Sequence, residues 1–199
     1  MASVNTNYGA MVALQQLNST NSQLEASQTR INTGMKVASA KDNGAIYAIA
    51  QGMRSDVAGF GVVQESLDRA SSTVDVAIAA GEAVSDLLID MKEKALSAAD
   101  ASLTSTQRSA FNEDFTALRD QIATIVSNAE FNGVNLIDGS TTGIEALASS
   151  DGSSTITVQD EAIGLSGSIV TLTSTAQLDT VTNASSAVGT IETSLNNLN

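Results

Sequence analysis

The chain has 199 residues, a formal charge of −13 and 3% aromatic residues, and it contains no Trp, Cys, His or Pro. Without Cys and His there is no disulfide framework and no Cys-based metal site, and most zinc and catalytic-triad chemistry, including any HExxH site, is removed. All nine basic residues (Arg30, Lys36, Lys41, Arg54, Arg69, Lys92, Lys94, Arg108, Arg119) precede an acidic stretch, Asp120 to Glu192, that holds no base. Phosphate contacts need basic clusters, so this distribution argues against a nucleic-acid partner. No run of about 18 apolar residues marks a membrane span, so no membrane insertion is expected. The N-terminus also lacks the pattern of a cleaved secretory signal.

Residues 3 to 32 read as a first helix, with Leu17, Leu24 and Ile31 seven apart and Ala10 and Leu14 extending the stripe. Asn, Ser and Thr crowd its other faces and lower its intrinsic helicity, so on its own it would be marginal. Gly34 is a natural stop, and residues 33–44 form a polar connector whose Asp42 or Asn43 can cap the next helix. That helix enters through Ala45, Ile46, Ala48 and Ile49. It continues into the longest pattern in the chain: Phe60, Val63, Leu67, Ala70, Val74, Ala77, Gly81, Val84, Leu88, Met91, Ala95 and Ala98, at alternating steps of three and four. This is a heptad seam, which a single helix cannot bury and which calls for partner helices with left-handed supercoil. Gly59 and Gly61 mark a place where the helix could break.

A turn at 99–105, capped by Ser102 or Thr104, leads to a helix carrying Phe111, Phe115, Leu118, Ile122, Ile125 and Ala129. So short a connection predicts an antiparallel hairpin over 45–130. Beyond Glu130 the pattern changes. Asn132-Gly133 and Asp138-Gly139 flank a short apolar run as in a hairpin, Thr155–Gln159 alternates as a strand does, and Ser168–Thr173 is a second β-branched run. Residues 131–183 therefore read as a small, acidic, β-rich outer segment. From about Ala184, the stripe Val188, Ile191, Leu195 and Leu198 is helical again and runs to the last residue without a cap. The predicted fold class is mainly α: long antiparallel coiled-coil helices with a small β-rich segment. The carboxylates show no acid/base pair and no nucleophile has a base partner, so neither an enzyme nor a cofactor is expected.

Arg30-Ile-Asn-Thr-Gly34, then Ala38-Ser-Ala-Lys-Asp-Asn-Gly-Ala45 and Ile49-Ala-Gln51, resemble the N-terminal signature of bacterial flagellins. Val4-Asn-Thr-Asn7 and Glu130-Phe-Asn-Gly-Val-Asn-Leu-Ile-Asp-Gly139 fit the same family, in order and spacing, through residues 3–140. The sequence is similar to the short alphaproteobacterial flagellins. The resemblance implies an inner-tube helix (1–32), a spoke (33–44), a coiled-coil hairpin (45–130), an outer segment (131–183) and the start of a return helix (184–199). It also implies export, unfolded and without a cleaved signal, through the flagellar type III apparatus. By the same resemblance, addition to other flagellin subunits is expected at the filament tip, with the filament cap as a partner, in an extracellular flagellum used for swimming. The lack of proline suits such a route, because no slow isomerisation delays refolding.

By the same resemblance, Arg30, Asp42 and Arg54 lie at or near spoke and subunit contacts, and the stripe of the first helix packs on assembly. The seam and hairpin residues, Phe60, Leu67, Val74 and Leu88 with Phe111, Phe115, Leu118 and Ile122, serve packing within or between subunits. The plainer reading of the seam is an internal bundle core, and that of Arg30, Asp42 and Arg54 a solvated connector. Only the beginning of the family's C-terminal return is present, which reads as a fragment, a truncation or a shortened paralogue. The related readings are a hook–filament junction protein and a truncated flagellin that regulates assembly. Residues 89–95 align with the segment that a Toll-like receptor reads on many flagellins, which typically carry Arg-x-x-Glu-Leu there. Glu93 matches, whereas Asp90 and Lys94 stand in place of the Arg and the Leu, a change expected to cost a hot-spot contact of about 2 kcal/mol or more.

Overall fold

The structure, a computed structural model, describes residues 7–198. In chain order its elements are α1 (Tyr8–Thr33), α2 (Gly44–Ala98), α3 (Ser105–Asn128), β1 (Glu130–Phe131), β2 (Val134–Asn135), β3 (Ile144–Leu147), β4 (Thr155–Val158) and α4 (Val181–Leu198). The chain divides into two compact units, Met1–Ala58 and Gly59–Asn199. The opening Val4-Asn-Thr motif and Asn199 lie outside the described residues.

In the first unit the Asn7 side chain caps α1 by accepting from the Ala10 N–H at 3.2 Å, and Gly34 ends it in the left-handed region. The polar residues of α1 do not compete with the helix, because their hydroxyls are absorbed by it. Thr20, Ser27, Thr29 and Thr33 each donate to the carbonyl four residues back, at 2.7–2.9 Å. The connector is organised by its last two residues. Asp42 Oδ2 accepts from the Ala38 and Ser39 amides at 3.0 and 3.1 Å, while Asn43 Oδ1 accepts from the Ile46 N–H and starts α2. α2 then runs unbroken through Gly52, Gly59, Gly61 and Gly81.

The second unit holds the core. Val84, Leu88, Met91, Ala95 and Ala98 of α2 are buried with Phe115, Ile122 and Val126 of α3, and with Ala184, Ala187 and Ile191 of α4. α3 folds back beside α2, and Lys94 Nζ meets Asp114 at 2.9 Å. At the turn Thr104 and Gln107 form a capping box. Arg108, buried, donates from Nε to the Ala98 carbonyl and from Nη2 to the Asp100 carbonyl, both at 2.9 Å. It thereby satisfies acceptors that the end of α2 leaves open.

Strands β1 and β2 pair antiparallel across Asn132 and Gly133, whose φ of 52° and 81° are those of a two-residue type I′ loop. The buried Asn135 ties this hairpin to α3 by donating to the Val126 carbonyl at 2.7 Å. Strands β3 and β4 pair from Ile144↔Val158 to Leu147↔Thr155, and the Leu147 N–H donates to Ser66 Oγ of α2 at 3.0 Å. The tip of this second hairpin lies so close to α2 that a Cβ on Gly59 would stand 2.5 Å from the Ser150 carbonyl oxygen.

The β-branched run at 168–173 is not a strand. Val170 and Leu172 are buried in the core, so the alternation is real, but among the described residues no second strand pairs with it. Its backbone bonds elsewhere: the Thr171 N–H donates to Ser194 Oγ of α4 and the Val170 carbonyl accepts from Gly167. α4 starts at Val181, a little before the expected Ala184.

Candidate assembly surface

The heptad seam of α2 has two environments. Its second half is covered within the chain, with Val84, Leu88, Met91, Ala95 and Ala98 all at 0% exposure. Its first half is covered only in part: Val63 and Ser66 are buried, Ser66 accepting from the Leu147 N–H of β3, whereas Phe60 is 56% exposed and Leu67 is also exposed. Val74, at the changeover, is half-buried. The core partners α3 and α4 thus cover only the later turns, and the β3–β4 hairpin covers part of the earlier ones.

In the first unit the same character recurs without any core. No described residue of α1 is buried, and Met11, Leu14, Leu17, Leu24 and Ile31 are all largely exposed. Ile46, Ile49 and Met53 extend the seam spacing back to the start of α2, with Val57 beside the seam position that Asp56 holds, and all four apolar side chains are exposed. In the sequence, Ile46 and Ile49 mark the entry to a helix and Val57 the start of the heptad stretch; Met53, one heptad before Phe60, is the position that the same spacing also gives. Large apolar side chains at regular spacing with nothing over them mark an interaction surface.

The remaining predicted residues are placed as follows. Phe115 and Ile122 are fully buried, and Phe111 and Leu118 are half-buried against the same core. Arg30 occupies the last turn of α1, where a cation suits the helix C-terminus. Arg54 donates from Nη1 to Gln51 Oε1 at 3.2 Å and from Nη2 to Met35 Sδ. Asp42 is spent on the connector: the Ser39 and Ala38 amides hold its carboxyl below the usual range, with Arg30 adding a weaker attraction. In the 89–95 segment Asp90 is exposed, and Lys94 is turned toward Asp114, whose hydrogen bond and charge raise the ammonium pKa.

Among the described residues no group of His, Cys, Asp and Glu is placed to hold a metal, and no helix is long and apolar enough to cross a membrane.

Residues 4–142 match the family model for the bacterial flagellin N-terminal helical region. Flagellin FljK of Caulobacter vibrioides is 52% identical over 193 residues, covering 97% of this chain and 70% of FljK. The chain belongs to the flagellin family. Flagellin FljM of the same organism is 50% identical over 194 residues, with the same coverage of both chains. The crystal structure of Bacillus cereus flagellin superposes with a TM-score of 0.58 at 22% identity, over 68% of this chain and 77% of that one, a likeness of fold. The protein is thus a structural subunit of the flagellar filament, and it works by association with other flagellin subunits.

Proposed function

We propose that the subunit joins its neighbours through the open half of the α2 seam and the α1 stripe, while the covered half holds each subunit together. What carries this reading is the contrast along one helix between Phe60, 56% exposed, and Leu88, fully buried, on the same heptad pattern. A heptad stripe exposed to water is unsatisfied, and contacts that repeat head to tail without closing give an open helical polymer. In this reading α1 lines the inner tube, residues 33–44 form the spoke, and the segment after Glu130 faces outward. The subunit travels unfolded through the type III apparatus and adds at the tip beneath the cap. It carries out no catalysis. Asp90 and Lys94 leave it poorly recognised by the Toll-like receptor that reads many flagellins.

The test is a double substitution, Phe60→Asn with Leu67→Asn. Thermal unfolding of the free subunit is expected to change little, because neither side chain is in the core, whereas elongation of filament fragments should fall steeply. Normal elongation would sink the reading. Inhibition of full-length flagellin at substoichiometric amounts by the unaltered chain would favour an assembly regulator instead.

A further inference from the structure

The exposed stripes contain a chemistry that Leu and Ile lack. Met53 lies one heptad before Phe60, 64% exposed, and Met11 flanks the α1 stripe one turn before Leu14, 63% exposed. Two other methionines are shielded to different degrees. Met91 is fully buried in the core, and Met35 is half-buried with its sulfur accepting a hydrogen bond from Arg54 Nη2. Oxidation of a thioether follows access to its sulfur lone pair, and the sulfoxide turns a flexible apolar side chain into a polar one.

We propose that Met11 and Met53 are oxidation sites of the free subunit, and that hydrogen peroxide acting there blocks its addition to a filament. The sulfur lone pair attacks one peroxide oxygen, an S–O bond forms and the O–O bond breaks. The proton on the transferred oxygen passes to the departing hydroxide, giving sulfoxide and water; sulfur loses two electrons and the peroxide gains them. Met35 reacts more slowly because its lone pair is engaged by a guanidinium, and Met91 is protected until the core opens. Packing into a filament would remove both exposed sulfurs from solvent, so the site exists only before assembly. The effect on assembly rests on the function proposed above; the reactivity of the two sulfurs does not.

The experiment treats free subunits with hydrogen peroxide, maps sulfoxide by peptide mass spectrometry, and then measures elongation of filament fragments. Sulfoxide at Met11 and Met53 should exceed that at Met91 on the order of tenfold, and elongation should fall with it. In a Met11→Leu, Met53→Leu variant, compared with its own untreated rate of elongation, peroxide should cause no fall, because leucine carries no oxidisable sulfur. Equal oxidation of Met91, or unreactive Met11 and Met53, would overturn the proposal. So would full elongation by subunits carrying both sulfoxides, or equal loss in the leucine variant. Untreated subunits that failed to elongate would count against the assembly surface itself, and the sulfoxide map alone would then decide which sulfurs react.

Discussion

Burial works against the Asp160 carboxylate. Its Oδ1 is shielded and has no hydrogen-bond partner among the described residues. Desolvation first, then the charge of Asp138, raise its pKa, and the Gly139 amide offsets this only in part. A raised folded pKa means that ionisation weakens the fold, so stability falls as pH rises from the unfolded value through the folded one. Asp160→Asn should therefore raise the melting temperature at pH 7, and the gain should vanish below about pH 4, where both states are protonated in the wild type. An unchanged melting temperature at pH 7 would contradict this. Asp151 runs the other way. Bonds from Ser149 and Ser153 hold it at about 2, so its contribution is present above the ordinary carboxylate range and is lost as pH falls toward that value. Local exchange at Ser153 and Ser154 should rise in that window, and flat exchange there would remove the assignment. In the receptor segment, Asp90→Arg with Lys94→Leu should restore recognition, read as reporter activation at about thirtyfold lower dose if the recovered contact is near 2 kcal/mol. No gain would mean that the two departures are not what prevents recognition.

At the scale of elements, two neighbouring glycines on α2 should respond with opposite sign. An Ala in mid-helix gains about 1 kcal/mol over Gly, and at Gly61 nothing lies within 4 Å of the new Cβ. At Gly59 the new Cβ would meet the Ser150 backbone at 2.5 Å. Overpacking of that kind costs about 1–3 kcal/mol, so the clash should win. Gly61→Ala is expected to raise the melting temperature. Gly59→Ala should lower it and loosen the Ser66–Leu147 bond that holds the β3–β4 hairpin to α2. If both substitutions stabilise, the close approach of the hairpin tip is wrong.

The elements also show which parts of the fold were legible. Asn43, Thr104 and Gly34 act as the caps that their residue types suggest, and the Asn132-Gly133 loop forms as its dipeptide predicts. Ser168–Thr173 misled, because alternation records which side chains face inward and not whether the backbone has a strand partner. Here Ser194 of α4 takes the bond a strand would have made. Strand β3 was hidden for the opposite reason: Ile144–Leu147 contains no β-branched run, and its pairing comes from β4 and from Ser66. Arg108 gave no signal at all, since a buried arginine capping a distant helix end is set by the turn geometry.

For the whole molecule, the seam was readable in sequence but its coverage was not. Heptad spacing states that a stripe needs a partner and is silent on whether the partner belongs to the same chain. The structure covers the later part of the α2 seam within the chain and leaves Phe60 exposed, and a pair of substitutions should tell the two environments apart in solution. Leu88→Ala should cost about 2–5 kcal/mol of folding stability through the cavity it leaves, whereas Phe60→Ala should cost the free subunit little. Equal losses in unfolding experiments would place Phe60 in a core and undo the distinction.

The most direct measurement is amide hydrogen exchange on free subunits and on purified filaments, compared peptide by peptide. In free subunits residues 84–98 should be well protected, while residues 8–31 and 46–67 exchange quickly. In filaments protection should spread to those two segments and change little at 84–98. If exchange at 8–31 and 46–67 were the same in both forms, these stripes would not be what the filament is built on, and the central claim would fail.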